Sequence, residues 1–260
     1  MPIFHKNNLT FIKPDWPAPA HIKSCVTTRL GGQSQAPYEA FNLATHVGDD
    51  AQTVCQNREM LQQVLPLPNA PFWLAQEHTD KVIHWEGQSY ESPPVADASW
   101  TTDSELVCCV LTADCLPLLV TNKQGTFVAA IHAGWKGLAD GIVSNSIQAL
   151  PGQREDMLVW VGPAISQPYF EVGKEVFDAF VNDCAEAAAF FKPHASTPQK
   201  WYADLPGLAE FKLNQLGIEQ VFHSDLCSYR DQEWFYSYRR DQQTGRMASL
   251  IWIEKPSLTP

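Results

Sequence analysis

Apolar and polar positions fall along this chain in short alternating blocks separated by glycine, proline and carboxamide residues, a pattern of many brief strands with helices between them. Residues 22–28, IKSCVTT, alternate as a strand does, and RLGG at 29–32 breaks the run with a glycine pair suited to a tight turn or a close ligand approach. In HVGDD, Asp49 or Asp50 stands where an N-cap is needed for a helix from about Ala51 to Leu65, which Pro66, Pro68 and Pro71 terminate. The FWLA run at 72–75 predicts a short strand that delivers Gln76, Glu77 and His78 to its end, and a second apolar stretch, Lys81 to Trp85, carries His84. Residues 87–104 are polar with two prolines in series and read as a long surface loop, placed to act as a lid.

The densest apolar pattern follows. Glu105 to Leu111, Leu116 to Thr121 and Phe127 to Ile131 are nearly continuous, with turn residues Asn122 to Gly125 between the last two, so a buried strand pair is expected there. Cys115 precedes the first of that pair and His132 closes the second. A hairpin return would bring both to one end of a sheet. Further on, Leu138 to Leu150 predicts a helix of about three turns, Met157 to Val161 a strand before GPAIS, and Val172 to Ala189 an alanine-rich helix. Residues 192–200 read as a proline-containing loop, Leu205 to Leu216 as a helix with Gly217 as its C-cap residue, and Met247 to Ile253 as a strand preceded by a charged hairpin tip at 239–246. Alternating strands and helices favour an α/β fold in one domain, and no internal repeat occurs.

Composition narrows the function. At 260 residues, 45% hydrophobic and 18% charged, the chain buries a core without disulfides. It has no apolar run of membrane-spanning length, and its N-terminus lacks the apolar segment of a secretory signal, so a soluble, cytoplasmic protein is expected with no membrane partner. Lys and Arg total 18 against 29 Asp and Glu, a net charge of −11, which disfavours nucleic acid and leaves a small polar molecule as the expected ligand. The seven cysteines show no CxxC spacing, and six of them are expected to be reduced apolar fillers.

Cys115 is the exception, because Asp114 adjoins it and His132 and His78 end neighbouring apolar segments. One thiolate and two imidazoles leave the fourth position of a zinc tetrahedron open, as a catalytic site requires. The same residues also suit a metal-independent Cys115–His132 dyad, a hydrolase nucleophile with its base. His78 separates the two readings, since a dyad works without it and a three-ligand site does not. A non-catalytic binding protein is the third reading. Asp114 either assists proton transfer and orients a ligand or merely caps a turn. Arg58, on the pattern alone, is a solvated charge on a helix.

Five motifs together, HVGDD, TADCLPLLV, AAIHAGWKG, VGPAIS and FYSYRRDQQTGRMASL, resemble the YfiH-type family of laccase-domain proteins, also called multicopper polyphenol oxidases. The resemblance runs from about Val26 to Ile253 with the motifs in order. It departs at AQEHTDKV, where the family has a Gln-Val-His-Gly pattern and this chain keeps Gln76 and His78. The resemblance implies a layered α/β sandwich with mixed sheets, zinc bound by His78, Cys115 and His132, phosphorolysis of purine nucleosides such as adenosine, inosine, guanosine and methylthioadenosine, and adenosine deamination. A link to correction of peptidoglycan precursors also comes with it. Eight histidines without a close His-x-His pair do not suit a multicopper centre, although a single copper competes for the same ligands in the general affinity order and a copper-dependent polyphenol oxidase stays an alternative. For phosphorolysis the candidate cations are Arg29, Arg58, Lys136, Arg239 and Arg240, and Gln76 and Asn42 are candidate contacts to base or ribose or loop-fixing amides.

Overall fold

Every residue of Val107–Thr112, Leu116–Asn122 and Val128–Ala133 is buried, and because side chains of a strand point alternately to opposite faces, each of these strands feeds two separate cores. In the computed structural model, which describes residues 3–255, they belong to two six-stranded sheets. The first sheet is ordered β1 (Ile3–Lys6), β2 (Leu9–Ile12), β3 (Ile22–Thr27), β15 (Met247–Ile253), β7 (Val107–Thr112) and β4 (Pro71–Phe72). The second is ordered β14 (Val221–His223), β10 (Met157–Val161), β8 (Leu116–Asn122), β9 (Val128–Ala133), β6 (Ala98–Thr101) and β5 (Val82–His84). Most neighbours are antiparallel, but β4 with β7, β10 with β14 and β5 with β6 are parallel, so both sheets are mixed. A small antiparallel sheet of β11 (Glu171–Val172), β13 (Trp201–Ala203) and β12 (Phe191–Pro193) flanks them.

Three cores define the layers. Val107, Cys109 and Leu111 pack with Leu61 and Val64 of helix α1 (Ala51–Val64) on the outside of the first sheet. Cys108 and Val110 turn the other way and meet Leu119, Val128 and Ala130 of the second sheet, which forms the core between the sheets. Leu118, Val120, Ala129 and Ile131 face outward again, onto α2 (Trp135–Asp140), α3 (Ile142–Ala149), α4 (Lys174–Val181) and α5 (Leu205–Gln215). The fold is therefore a layered α/β sandwich, with Asp50 capping α1 through Thr53 N and Gly217 turning in the left-handed region after α5.

Five expected elements come out differently, each for a local reason. The single helix over 138–150 is two, because Gly141 at φ 108° breaks the ladder between α2 and α3. The strand expected at 72–75 shrinks to Pro71–Phe72, with Ala75 making one isolated bridge to Val95. Of the loop and lid expected over 87–104, the last part is β6, a buried strand between β5 and β9, since Ala96, Asp97, Ala98 and Ser99 are small enough to enter the sheet. The alanine-rich helix stops at Val181 and resumes as a 3-10 turn, Ala185–Phe190. The charged hairpin tip contains a short helix, α6 (Tyr238–Asp241), capped by Ser237 Oγ on Arg240 N. Among the cysteines expected as fillers, Cys25, Cys108, Cys109 and Cys227 are buried, but Cys55 is exposed and Cys184 partly so.

Candidate metal centre

The chain leaves the first sheet at Thr112 and enters the second at Leu116, so Ala113, Asp114 and Cys115 form the crossing between them. Asp114 makes the turn at φ 94°, and its carboxylate accepts from Ser228 Oγ (2.6 Å), Ser237 Oγ (3.0 Å) and Arg239 N (2.7 Å), which fixes the crossing. Pairing of β8 with β9 sets Pro117 opposite His132 and Leu116 opposite Ala133, which brings His132 beside Cys115 at the mouth of the inter-sheet core. His78 enters from the segment after β4. The three ligand atoms lie within 4.8 Å of one another, with Cys115 Sγ 3.5 Å from His78 Nε2 and the two imidazole rings 4.9 Å apart at 68°. Metal–sulfur and metal–nitrogen bonds of zinc length at a tetrahedral angle put S and N about 3.6 Å apart, so the donor set fits a tetrahedral ion. Gly134 completes the cradle: a Cβ there would collide with His78 Cδ2 and stand 3.0 Å from Cys115 Sγ.

Asp97, a residue the sequence pattern did not single out, holds this set together. Fully buried, it accepts from His132 Nδ1 at 2.7 Å, which leaves Nε2 of that ring for the centre. Its two oxygens also take the backbone N–H groups of Glu77 (3.3 Å), His78 (3.1 Å) and Thr79 (2.6 Å) and the hydroxyl of Thr79 (2.7 Å). That row of donors supports His78 in the left-handed region, at φ 58°. Burial by itself would raise the Asp97 carboxyl, but the His132 bond and charge and the Thr79 donors outweigh it and hold the group at about 2. For Cys115, burial again opposes ionisation, yet the charge and hydrogen bond of His132 and the contact with His78 bring the thiol down to about 6. Burial disfavours the His132 cation, and the Cys115 thiolate and Asp97 reverse this, raising it to about 9. Elsewhere burial pushes Cys25 up to about 12, and Cys108 as far against an opposing Ser99 hydrogen bond, so Cys115 stands apart from the filler thiols.

The three donors open onto a cavity of about 550 Å³ whose lining includes the apolar Trp135, Ile165 and Phe170 and the polar or charged His46, Tyr238, Arg239 and Arg246. Of the expected substrate contacts, Gln76 and Arg239 line it. Gln76 spends its amide on the backbone of Leu111, accepting from N at 2.7 Å and donating to O at 2.8 Å, and so ties the His78 segment to β7. Asn42 is buried behind the wall, accepting from Ala44 N and Arg246 N and donating to Asp49. The other four cations do not line the cavity. Arg29 donates to Glu39 O beside Tyr236, Arg58 donates to Leu43 O and stacks on Trp73, Lys136 is exposed and paired with Asp140, and Arg240 is consumed by Asp241 and the carbonyls of Ser228, Tyr229 and Phe235. His46 and Arg246 were legible only as members of HVGDD and of the TGR turn. The small-residue run ADAS around Asp97 carried no signal of its role.

The family described as multi-copper polyphenol oxidoreductase laccase matches residues 23–254. A Shigella flexneri protein named purine nucleoside phosphorylase YfiH is 45% identical over 242 residues, 93% of this chain and 98% of that one. A Haemophilus influenzae protein named purine nucleoside phosphorylase is 44% identical over 245 residues, 94% and 99% of the two chains. Among solved structures, that of a Neisseria meningitidis protein superposes with a TM-score of 0.89 at 45% identity, covering 94% of this chain and 99% of the other.

Proposed function

This chain belongs to the multi-copper polyphenol oxidoreductase laccase family, and from that premise we propose that it is a zinc-dependent purine nucleoside phosphorylase acting on adenosine, inosine, guanosine and methylthioadenosine, with adenosine deamination as a second activity. The observation that carries the reading is the convergence of His78, Cys115 and His132 on one cavity, with Asp97 behind them. The names of relatives matched over more than 90% of both chains support the phosphorylase activity. A cavity of about 550 Å³ lined in part by Trp135, Ile165 and Phe170 suits a flat base. Three donors gathered in a single cluster suit one ion with an open position.

His78, Cys115 and His132 would hold the ion. Bound zinc supplies Lewis acidity, lowering the pKa of coordinated water and steadying negative charge. Cys115 is prepared for that duty as a thiolate, and Asp97 keeps the His132 Nδ1 proton so that Nε2 faces the centre. In phosphorolysis the departing purine gains electron density while phosphate approaches the anomeric carbon, so the chain must exclude water around the base and hold an anion with its cationic groups. In deamination the oxygen of water replaces the C6 amino group, chemistry that an open coordination position suits. No helix among the described residues is long and apolar enough to cross a membrane, and a cytoplasmic location is proposed with this reading from the soluble metabolites it assigns.

The relay from Asp97 through His132 to Cys115 favours one other reading, a metal-independent Cys-His hydrolase. The experiment is a Cys115→Ala variant and a chelated wild type assayed together for zinc content and phosphate-dependent release of base from inosine. Loss of metal with loss of turnover is expected. Full turnover in a folded, metal-free protein rejects the zinc role, and a His78→Ala variant that keeps its rate selects the dyad.

A further inference from the structure

The chain carries a net charge of −11, yet the two arginines that line the cavity, Arg239 and Arg246, have no carboxylate in salt-bridge contact among the described residues. The lining acid, Asp114, already accepts three hydrogen bonds from Ser228, Ser237 and Arg239 N. Arg246 is the half-buried cation of this wall. Its backbone is pinned by Asn42 Oδ1 at 3.0 Å, and its Nη1 donates to the carbonyls of Thr244 (2.9 Å) and Gly245 (3.0 Å). A Cβ on Gly245 would press into the Tyr236 ring and Asn42, so the main chain there has a single seating. The Nε and Nη2 donors of Arg246 meet no acceptor among the described residues, and Arg246 also lines a second cavity of about 380 Å³ together with His46 and Tyr238. Arg239 is held in the same manner, with Nη1 on the carbonyls of Tyr169 and Glu171 and its charge over the Phe170 ring.

A guanidinium fixed on one side, with two parallel N–H groups left on the other and no carboxylate bonded to it, is the arrangement that takes a tetrahedral oxyanion bidentately, although Asp114 and Cys115 act on it from nearby. We infer that Arg246, assisted by Arg239, is the inorganic phosphate subsite of this cavity, in place of the cations at 29, 58, 136 and 240. The inference rests on the phosphorylase reading for its substrate. In the reaction an oxygen of hydrogen phosphate forms the bond to the anomeric carbon of the ribose as the bond from that carbon to purine N9 breaks. The electron pair of the broken bond goes to the purine, and the hydrogen that the phosphate oxygen carried ends on the base, so free purine and ribose 1-phosphate leave. Arg246 contributes by holding the anion against the anomeric face.

The test uses metal-loaded protein. Inorganic phosphate is titrated calorimetrically into wild type, Arg246→Gln and Arg246→Lys without nucleoside, and KM for phosphate and for inosine is measured on the same preparations with zinc content as a control. A charge-assisted pair is worth a factor of roughly ten to a hundred. Arg246→Gln is expected to weaken phosphate binding and raise the phosphate KM by that factor, with zinc content and inosine KM within about twofold, and Arg246→Lys to recover part of it. Unchanged phosphate affinity in Arg246→Gln, or a wild type that binds no phosphate, overturns the assignment. Should Arg246→Gln not fold, the exposed Arg239→Gln variant decides: a several-fold rise in phosphate KM upholds the subsite and an unaltered value rejects it. Phosphate bound through Arg246 without release of purine would leave the subsite standing and remove the phosphorylase reading. Purine release with an unaltered phosphate KM would do the reverse.

Discussion

A methyl group at position 134 has nowhere to go, since it would collide with the His78 ring and crowd the Cys115 sulfur. Gly134→Ala is therefore expected to push two donors apart and lower zinc affinity by at least tenfold, read by competition with a chromogenic chelator, while the sheets behind it stay folded. Asp97→Asn attacks the same centre from behind. It removes the charge that keeps His132 oriented and part of the support for three successive N–H groups, and loss of such a partner costs about ten- to a hundredfold in metal affinity. The thiol supplies a pH signature. Because the Cys115 pKa is lowered to about 6 from an ordinary value of 9.0, its thiolate forms as pH rises through 6 and is complete well below the range where an ordinary thiol ionises. In metal-stripped protein with Cys55 and Cys184 replaced by serine, iodoacetamide labelling of Cys115 should rise with a midpoint near 6 and then level off. A midpoint above 8 would remove the ion pair with His132 from the account.

At the scale of elements, the hairpin of β8 and β9 and the crossing from β7 do the positioning, and their stiffness comes from being apolar on both faces. Apart from Trp135 at the start of α2, which lines the cavity, the helices packed on the outer faces contribute stability away from the three donors. Gly141, between α2 and α3, shows this separation: its φ of 108° lies where side chains are strained, but a Cβ there meets nothing within 4 Å. Gly141→Ala is expected to cost about 1–2 kcal/mol and several degrees of melting temperature, with zinc content and kcat unchanged. Calorimetry alongside a metal assay checks both halves. The break at Gly141 was not readable from the apolar spacing of Ile142, Val143 and Ile147, because the pattern of a helix continues across a single left-handed residue. In the same way β6 was hidden in a polar, proline-containing stretch, since its four residues, ASWT, are too few to show a period.

Across the whole molecule the centre joins both sheets, with His78 beside the edge of the first, Cys115 on the crossing and His132 in the second. An ion held there cross-links the layers, so removing it should lower the melting temperature, with the shift growing with free zinc in proportion to RT ln(1 + [Zn]/Kd). A melting curve indifferent to chelation would place the ion elsewhere. The sequence by itself determined the strands that end at Cys115 and His132, the α/β class, and the three residues that the fold then gathers in one cluster, because buried strands and their ends write themselves in local apolar runs and in residue type. Only the tertiary structure decided that Asp97 backs His132, that Asp114 anchors a crossing, and that Arg246 rather than Arg58 or Lys136 faces the cavity. Those facts depend on which side chains meet across sheets from positions far apart in the chain, such as Asp97 and His132 at a sequence separation of 35, and no local pattern records a partner at that distance.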